Sequence, residues 1–474
     1  MAAKYVIHTK PVSPRLRPVG KLGIVDWRED CSSCHNCVKR SCVYGFYRDE
    51  ADTLRDEIGY LDYIYQCKGC LSCIQNCTKG ILTRVENPEY RRLGDDYFTP
   101  DIILSTWFQA ESGRIPVSGS GYGGPFSGPG FDSMWTDMSE IVRPTRDGIH
   151  GREYISTSVD IGRKLKQLAF HDGQLTVASP PLVEIPLPLI FDCIPRHWQR
   201  GSVFPAIAKA AAELGTLAVV ADMDDAAQWL AEQGRVIPLV DSVEAAGRGV
   251  LRDAPLVMIC DSRDVLAIQA QLKKQNADRL VAIRVEATPA CKDRILELAR
   301  DGAEVVHLVF DKHGRETATA SSNGSPPRHA RDVLREVHRA LVLDGVRDEV
   351  TLVTSGGIAL PEHMAKAIIC GADLVAIDIP LLLALECRLC GECEHDGWCP
   401  VALEEAPFDY AVQRIENLIG TWHQQLIEVL GAMGIREVRR LRGETGRAMF
   451  FEDLERDSFG RIFGKRKDAA ATSL

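Results

Sequence analysis

Residues 350–380 read VTLVTSGGIALPEHMAKAIICGADLVAIDIP. An apolar, β-branched run (350–357) leads into a helical pattern opened by Pro361, and a second run (373–380) follows. This is one strand–helix–strand unit, with strands too continuously apolar for a sheet that has a wet face. Working back towards the N-terminus, the alternation recurs in LVEIPLPLIF (182–191), TLAVVAD (216–222), RVIPLVD (235–241), PLVMICD (255–261), RLVAIRVE (279–286) and EVVHLVFD (304–311). Helical patterns such as FPAIAKAAAELG and CKDRILELARDG lie between them. Eight buried strands, each trailed by a helix, within about two hundred residues match a compact (β/α)8 barrel. A doubly wound open sheet is the competing reading.

Upstream, residues 31–42 read CSSCHNCVKRSC and residues 67–77 read CKGCLSCIQNC. The repeated x2 spacing lets three soft thiolates converge on one pocket, and the fourth cysteine of each run reaches across to the other cluster. On that rule Cys31, Cys34, Cys37 and Cys77 hold one 4Fe-4S cluster, and Cys67, Cys70, Cys73 and Cys42 hold a second. The pattern resembles the bacterial two-cluster ferredoxin module. It departs from it by four residues rather than three before Cys42, and by Val43 and Thr78 where proline is usual. Structural zinc rarely uses such successive spacings twice over, and disulfides require an oxidising compartment. A third set, Cys387, Cys390, Cys393 and Cys399, begins just past the eighth strand, at the end of the barrel where such enzymes work. It reads as a third iron–sulfur centre, 4Fe-4S or 3Fe-4S, with zinc as the rival because His395 is near. The lone cysteines Cys193, Cys260, Cys291 and Cys370 read as buried small hydrophobes.

The fold class is therefore α/β: a TIM-like (β/α)8 barrel, an N-terminal two-cluster ferredoxin-like α+β module and a C-terminal helical extension. Its 474 residues divide into the ferredoxin-like module (1–90), an irregular Gly/Pro-rich connecting segment (91–180), the barrel with the third cysteine set (181–400), and a long helix with its tail (401–474). The helix is expected over 409–433, and the tail patches AMFFEDL and FGRIF suggest docking. A net charge of −10 argues against a nucleic-acid surface. No apolar run approaches the ~20 residues that cross a bilayer. The N-terminus lacks the apolar core of a secretory signal, so sixteen cysteines point to a reducing cytoplasm and metal chemistry.

The stretch TSGGIALPEHMAKAIICGADLVAIDIPLLLALECRLCGEC, followed by WCPVALEE, resembles the flavin-binding barrel of the glutamate synthase large subunit, in the short form fused to a ferredoxin module. The resemblance implies FMN at the barrel mouth, its phosphate received by Ser355, Gly356 and Gly357. The family's fifth strand supplies a lysine to the flavin, and Arg284 is the nearest basic residue here. Its three-cysteine 3Fe-4S set matches Cys387, Cys393 and Cys399, with Cys390 additional. Three strand ends depart from the family. The eighth carries Asp378 where the family has a Gly-Thr turn, the first runs Phe191-Asp192-Cys193, and the sixth runs Asp311-Lys312-His313-Gly314 in place of Gly-Gly-Thr-Gly. Asp192, Asp222, Asp241, Asp261, Glu286, Asp311 and Asp378 all fall near strand C-termini, some as helix caps.

The expected function is an iron–sulfur flavin oxidoreductase that passes electrons from the N-terminal clusters to the barrel mouth, within a complex that includes a redox partner or flavoprotein subunit. The alternative is a non-catalytic electron-transfer scaffold with a degenerate flavin site. No catalytic residue is singled out.

Overall fold

The computed structural model describes residues 5–16, 19–23, 34, 38–41, 43, 71–81, 85–118, 121–122, 127–136, 154–167, 169–175, 180–195, 198, 201–221, 223–232, 234–249, 251, 254–317, 326–393, 398–458 and 460–464. Eight parallel strands close into a barrel. They are β1 (Leu189–Phe191), β2 (Ala218–Val220), β3 (Val236–Val240), β4 (Leu256–Cys260), β5 (Leu280–Glu286), β6 (Val305–Val309), β7 (Thr351–Ser355) and β8 (Leu374–Ile377). Each lies within one of the eight apolar runs, so the closed barrel stands and the open sheet falls. Closure is made by β1 beside β8, where Phe191 pairs with Ile377.

The first run holds more than one strand. Its early part, Val183–Ile185, turns back to pair antiparallel with Val159–Ile161. The hydroxyl of Thr351, the first residue of β7, accepts from Gly162 N–H at 3.1 Å and donates to Gly162 O at 2.8 Å. This pair therefore lies against the N-terminal end of the barrel and leaves the other end for chemistry.

The surrounding helices are α2 (Val203–Glu213), α3 (Met223–Glu232), α4 (Val243–Ala246), α5 (Val265–Gln275), α6 (Cys291–Arg300), α7 (Ala330–Leu343), α8 (Pro361–Ile369) and the short α9 (Ile379–Ala384). Before the barrel, a regular helix α1 (Pro100–Ser112) stands inside the stretch read as irregular. Pro100 begins it and Gly113, at φ 63°, ends it. Ile102, Ile103, Thr106, Trp107 and Ala110 form its buried stripe. The C-terminal helix α10 (Phe408–Ala432) falls within a residue of its expected span. It packs on α1, α2 and α8. Its buried polar groups join distant chain: Arg414 Nε donates to Ala384 O (2.5 Å), Asn417 Nδ2 to Lys10 O (2.7 Å) and Ala110 O (2.9 Å), and Trp422 Nε1 to Gln109 Oε1 (3.1 Å). The tail patch docks as expected on the body, where Ala448–Phe450 pairs with Met134–Thr136 and Phe450 is buried.

Among the described residues, no helix is long and apolar enough to cross a membrane.

A buried charge knot fixes the start of β8. Arg347 donates to Val350 O (2.9 Å), Gly371 O (2.7 Å) and Asp373 Oδ2 (2.9 Å), while Asp373 also accepts Leu352 N (2.7 Å) and Arg442 Nη1 (2.8 Å). Removing the carboxylate leaves a guanidinium buried without its counter-charge. Asp373→Ala should therefore cost about 3–5 kcal/mol in urea unfolding; an unchanged midpoint would refute the knot's importance.

Candidate active site at the barrel mouth

Asp192 follows β1, Arg284 lies in β5, His307 in β6, and Ser355 ends β7. Strands β1 and β5 are four apart in an eight-stranded barrel, so their side chains meet across the lumen. Arg284 grips Asp192 with both guanidinium nitrogens: Nη1 donates to Oδ1 (2.6 Å) and Nη2 to Oδ2 (3.3 Å). Arg284 Nη1 also lies 3.4 Å from His307 Nδ1, and His307 Nε2 lies 2.9 Å from Ser355 Oγ. Arginine carries no acceptor, so Nδ1 accepts and the neutral ring's proton sits on Nε2, donated to Ser355.

The electrostatics follow from burial and the single cation. Burial alone would raise the Asp192 carboxyl, but Arg284 outweighs it and holds the group at about 2. A protonated His307 would add to this. Burial, however, lowers the imidazole to about 3, with Asp192 opposing and Arg284 assisting, so His307 is neutral and Arg284 is the cation that counts. Asp378 stands beside this pair and takes the opposite course. Burial and then Asp192 push it up to about 6, against the N–H of Ile379 and the charge of Arg284.

The expected carboxylate ring is largely satisfied from within. Asp378 Oδ1 accepts Ile379 N (2.6 Å), capping α9. Asp311 Oδ1 accepts His313 N (2.9 Å) and Arg315 N (2.7 Å), and Asp261 pairs with Arg294 at 2.7 Å. Asp222 lies outside the described residues. Cys291 and Cys370 are buried as read, whereas Cys193 and Cys260 are only half-buried and act electrostatically on Arg284 at the mouth.

Gly356 (φ 93°) and Gly357 (φ 72°) turn the chain after β7. A Cβ on Gly356 would meet Asp311 O at 2.4 Å, and one on Gly357 would meet Gly314 Cα at 2.6 Å, so the β6 and β7 turns touch through backbone. Gly357 O accepts from Tyr97 Oη at 2.6 Å. Among the described residues, no acceptor takes the N–H of Gly356 or Gly357.

Tyr97 belongs to a turn that joins three parts of the site. Gly94 N donates to Arg388 O (3.0 Å), inside the third cysteine set. Asp95 Oδ2 meets His313 Nε2 (2.8 Å) and Lys312 Nζ (3.2 Å) of the β6 turn. Phe98, Ile103 and Trp107 share an apolar cluster with Ala359, Leu360, Cys387 and Leu389.

The third cysteine loop is wound tightly. Glu386, Leu389 and Gly391 all have positive φ (73°, 50° and 74°), and Leu389 N donates to Cys387 Sγ at 3.4 Å. Arg15 clamps the loop's ends: its backbone N donates to Glu386 Oε1 (3.0 Å) and its Nη2 to Val401 O (2.8 Å). Cys387 is pushed up to about 12 by burial, with Cys399, Cys390 and Cys393 all adding to the rise, so the four sulfurs lie within electrostatic reach of one another. Cys399 is buried, Cys387 and Cys393 half-buried, and Cys390 exposed. Among the described residues, no three His, Cys, Asp or Glu side chains are already converged as a metal site.

Of the first two cysteine sets, Cys31, Cys37, Cys42, Cys67 and Cys70 lie outside the described residues. Cys34 Sγ lies 3.9 Å from Thr78 Oγ1, which sets the first run beside the residue after Cys77. The reading from sequence missed His307 and Tyr97. The signal for His307 was a polar residue inside the apolar run VVHLV; Tyr97 carried none.

Arg284→Met should leave Asp192 buried without a cation, costing about 3–5 kcal/mol at pH 7. In the wild type the depressed Asp192 contributes stability present above the usual carboxyl value of about 4 and lost as pH falls through about 2. In the variant the sign reverses, because the unpaired carboxyl gains by taking a proton. Urea unfolding at pH 7 and pH 5 should show the deficit shrinking in acid; a deficit that ignores pH refutes the pairing.

A description of the conserved region in glutamate synthase matches residues 241–436. The chain is 24% identical to the archaeal glutamate synthase (NADPH) of Archaeoglobus fulgidus, over 92% of this chain and 96% of that protein. It is 25% identical to the archaeal-type glutamate synthase (NADPH) of Dehalococcoides mccartyi, over 89% of this chain and 93% of that one. Among solved structures, mandelate oxidase aligns with 65% of this chain and 97% of its own at 15% identity and a TM-score of 0.39. The chain is thus similar to glutamate synthases over most of its length, which supports a divergent member of that family and an oxidoreductase of that type.

Proposed function

We propose that this chain passes electrons from two N-terminal 4Fe-4S clusters, through a third iron–sulfur centre, to a flavin-dependent reduction at the barrel mouth. The ligands are Cys31, Cys34, Cys37 and Cys77 for one cluster, Cys67, Cys70, Cys73 and Cys42 for the second, and Cys387, Cys393 and Cys399 with or without Cys390 for the third. A redox partner or flavoprotein subunit feeds the N-terminal end. The observation that carries this reading is the Gly94–Phe98 turn. It follows the second cysteine run, bonds the third cysteine loop through Arg388 and reaches the β7 turn through Tyr97.

The mouth fits FMN at two places. The buried N–H of Gly357, with that of Gly356 beside it, has no acceptor among the described residues and suits a phosphate. Arg284 keeps about a fifth of its side chain exposed at the mouth, where its positive charge would stabilise a reduced flavin. Bound there, FMN supplies two-electron transfer to a carbonyl or imine. The residues around it then hold charge and proton: Arg284 is fixed by Asp192, Ser355 by His307, and Asp378 is raised towards neutrality.

A specific observation also favours the scaffold reading. Arg284 and Ser355, which the resemblance assigns to flavin, already have protein partners in Asp192 and His307.

Iron, acid-labile sulfide and FMN measured on anaerobically purified protein separate the readings. About twelve iron atoms per chain with one FMN supports the proposal, and Cys70→Ala should then lose about four of them. Iron without flavin supports the scaffold. Zinc without sulfide overturns both.

A further inference from the structure

We propose that Asp378 is the proton donor of the barrel mouth, left in that role because its neighbour Asp192 takes up the cation, Arg284. This rests on the reading of the mouth as a reduction site. Strands β1 and β8 are adjacent and parallel, with Phe191 opposite Ile377, and Asp192 N donates to Ile377 O at 2.8 Å. Asp192 and Asp378, the next residues on each strand, therefore emerge side by side at the mouth. Two carboxylates so placed do not both ionise cheaply.

The hydrogen bonds decide which one keeps its charge. Both oxygens of Asp192 are engaged by Arg284. Asp378 accepts the Ile379 N–H and, among the described residues, pairs with no cation. The charged groups that act on it are Asp192 from β1 and Arg284 from β5. His307 of β6 is neutral and commits its Nε2 proton to Ser355. Asp378 is thus the mouth group able to hold a proton near neutrality and release it, and its side chain is only half-buried.

In the step it serves, the carbon of a C=O or C=N substrate accepts a hydride equivalent from a reduced flavin-class donor. The heteroatom takes the Asp378 carboxyl proton, the double bond becomes single, and the resulting carboxylate is reprotonated from water. Proton transfer of this kind is worth about 10²–10⁴ in rate.

The test uses the anaerobic holoprotein, with reduced methyl viologen as donor and 2-oxoglutarate with ammonium as probe. It is joined to an infrared pH titration of protonated-carboxyl absorption. Asp378→Asn should keep iron and flavin content, lower kcat about a hundredfold or more with little change in KM, and abolish the loss of rate on raising pH. It should also remove a carboxyl band that titrates near pH 6 in the wild type. Asp378→Glu should restore the band and part of the rate. A wild-type band absent, or unchanged in Asp378→Asn, overturns the assignment whatever the turnover. A band lost in Asp378→Asn from a wild type that carries no flavin and reduces nothing sinks the reduction reading, and the donor role with it.

Discussion

The ion pair between Arg284 of β5 and Asp192 after β1 crosses the lumen with contacts of 2.6 and 3.3 Å. Withdrawing two such charges from water costs several kcal/mol each and is recovered only through near-ideal geometry; a bidentate fork is that geometry. Much else at the mouth is a consequence. The guanidinium's one-way donor chemistry sets the tautomer of His307, which in turn orients Ser355. Its capture by one carboxylate leaves the adjacent one, Asp378, without a cation among the described residues. Arginine suits this place better than lysine, since a point charge could not hold two oxygens and face an imidazole at once.

A second constraint is the narrow turn at Gly94–Phe98. It lies between the cysteine-rich start and the barrel, and contacts the third cysteine loop, the β6 turn and the β7 turn. The β6 and β7 turns meet backbone to backbone through Gly314, Gly356 and Gly357. Anything that displaces Tyr97 disturbs the glycine turn directly through their 2.6 Å hydrogen bond.

The barrel was legible because its strands are buried on both faces, so their apolar runs need no alternation and stand out at regular spacing. The long helix α10 was legible for a similar reason, its stripe persisting over many turns. Helix α1 was less so: Pro100 and Gly113 were start and stop signals in plain view, but the Gly/Pro-rich neighbourhood masked them. The site was legible only as a collection of parts. Sequence singled out Arg284, Ser355, Gly356 and Gly357, yet periodicity carries no information about which side chains meet across a lumen. Hence Asp192 read as one acid among many and His307 as one more strand residue. Asp378 read as an obstacle to phosphate, because its charge state depends on a neighbour 186 positions away along the chain.

Arg15 clamps both ends of the third cysteine loop, and its bond to Glu386 joins positions 371 apart. During synthesis the clamp leaves the ribosome first and waits for nearly the whole polypeptide before its target exists. Loop ends that meet over such a separation form late. Until then the thiols of this loop lack the shape that burial imposes. The shape of this loop therefore depends on segments from opposite ends of the sequence meeting, and a chain cut before Val401 lacks one of the two contacts by which Arg15 holds it.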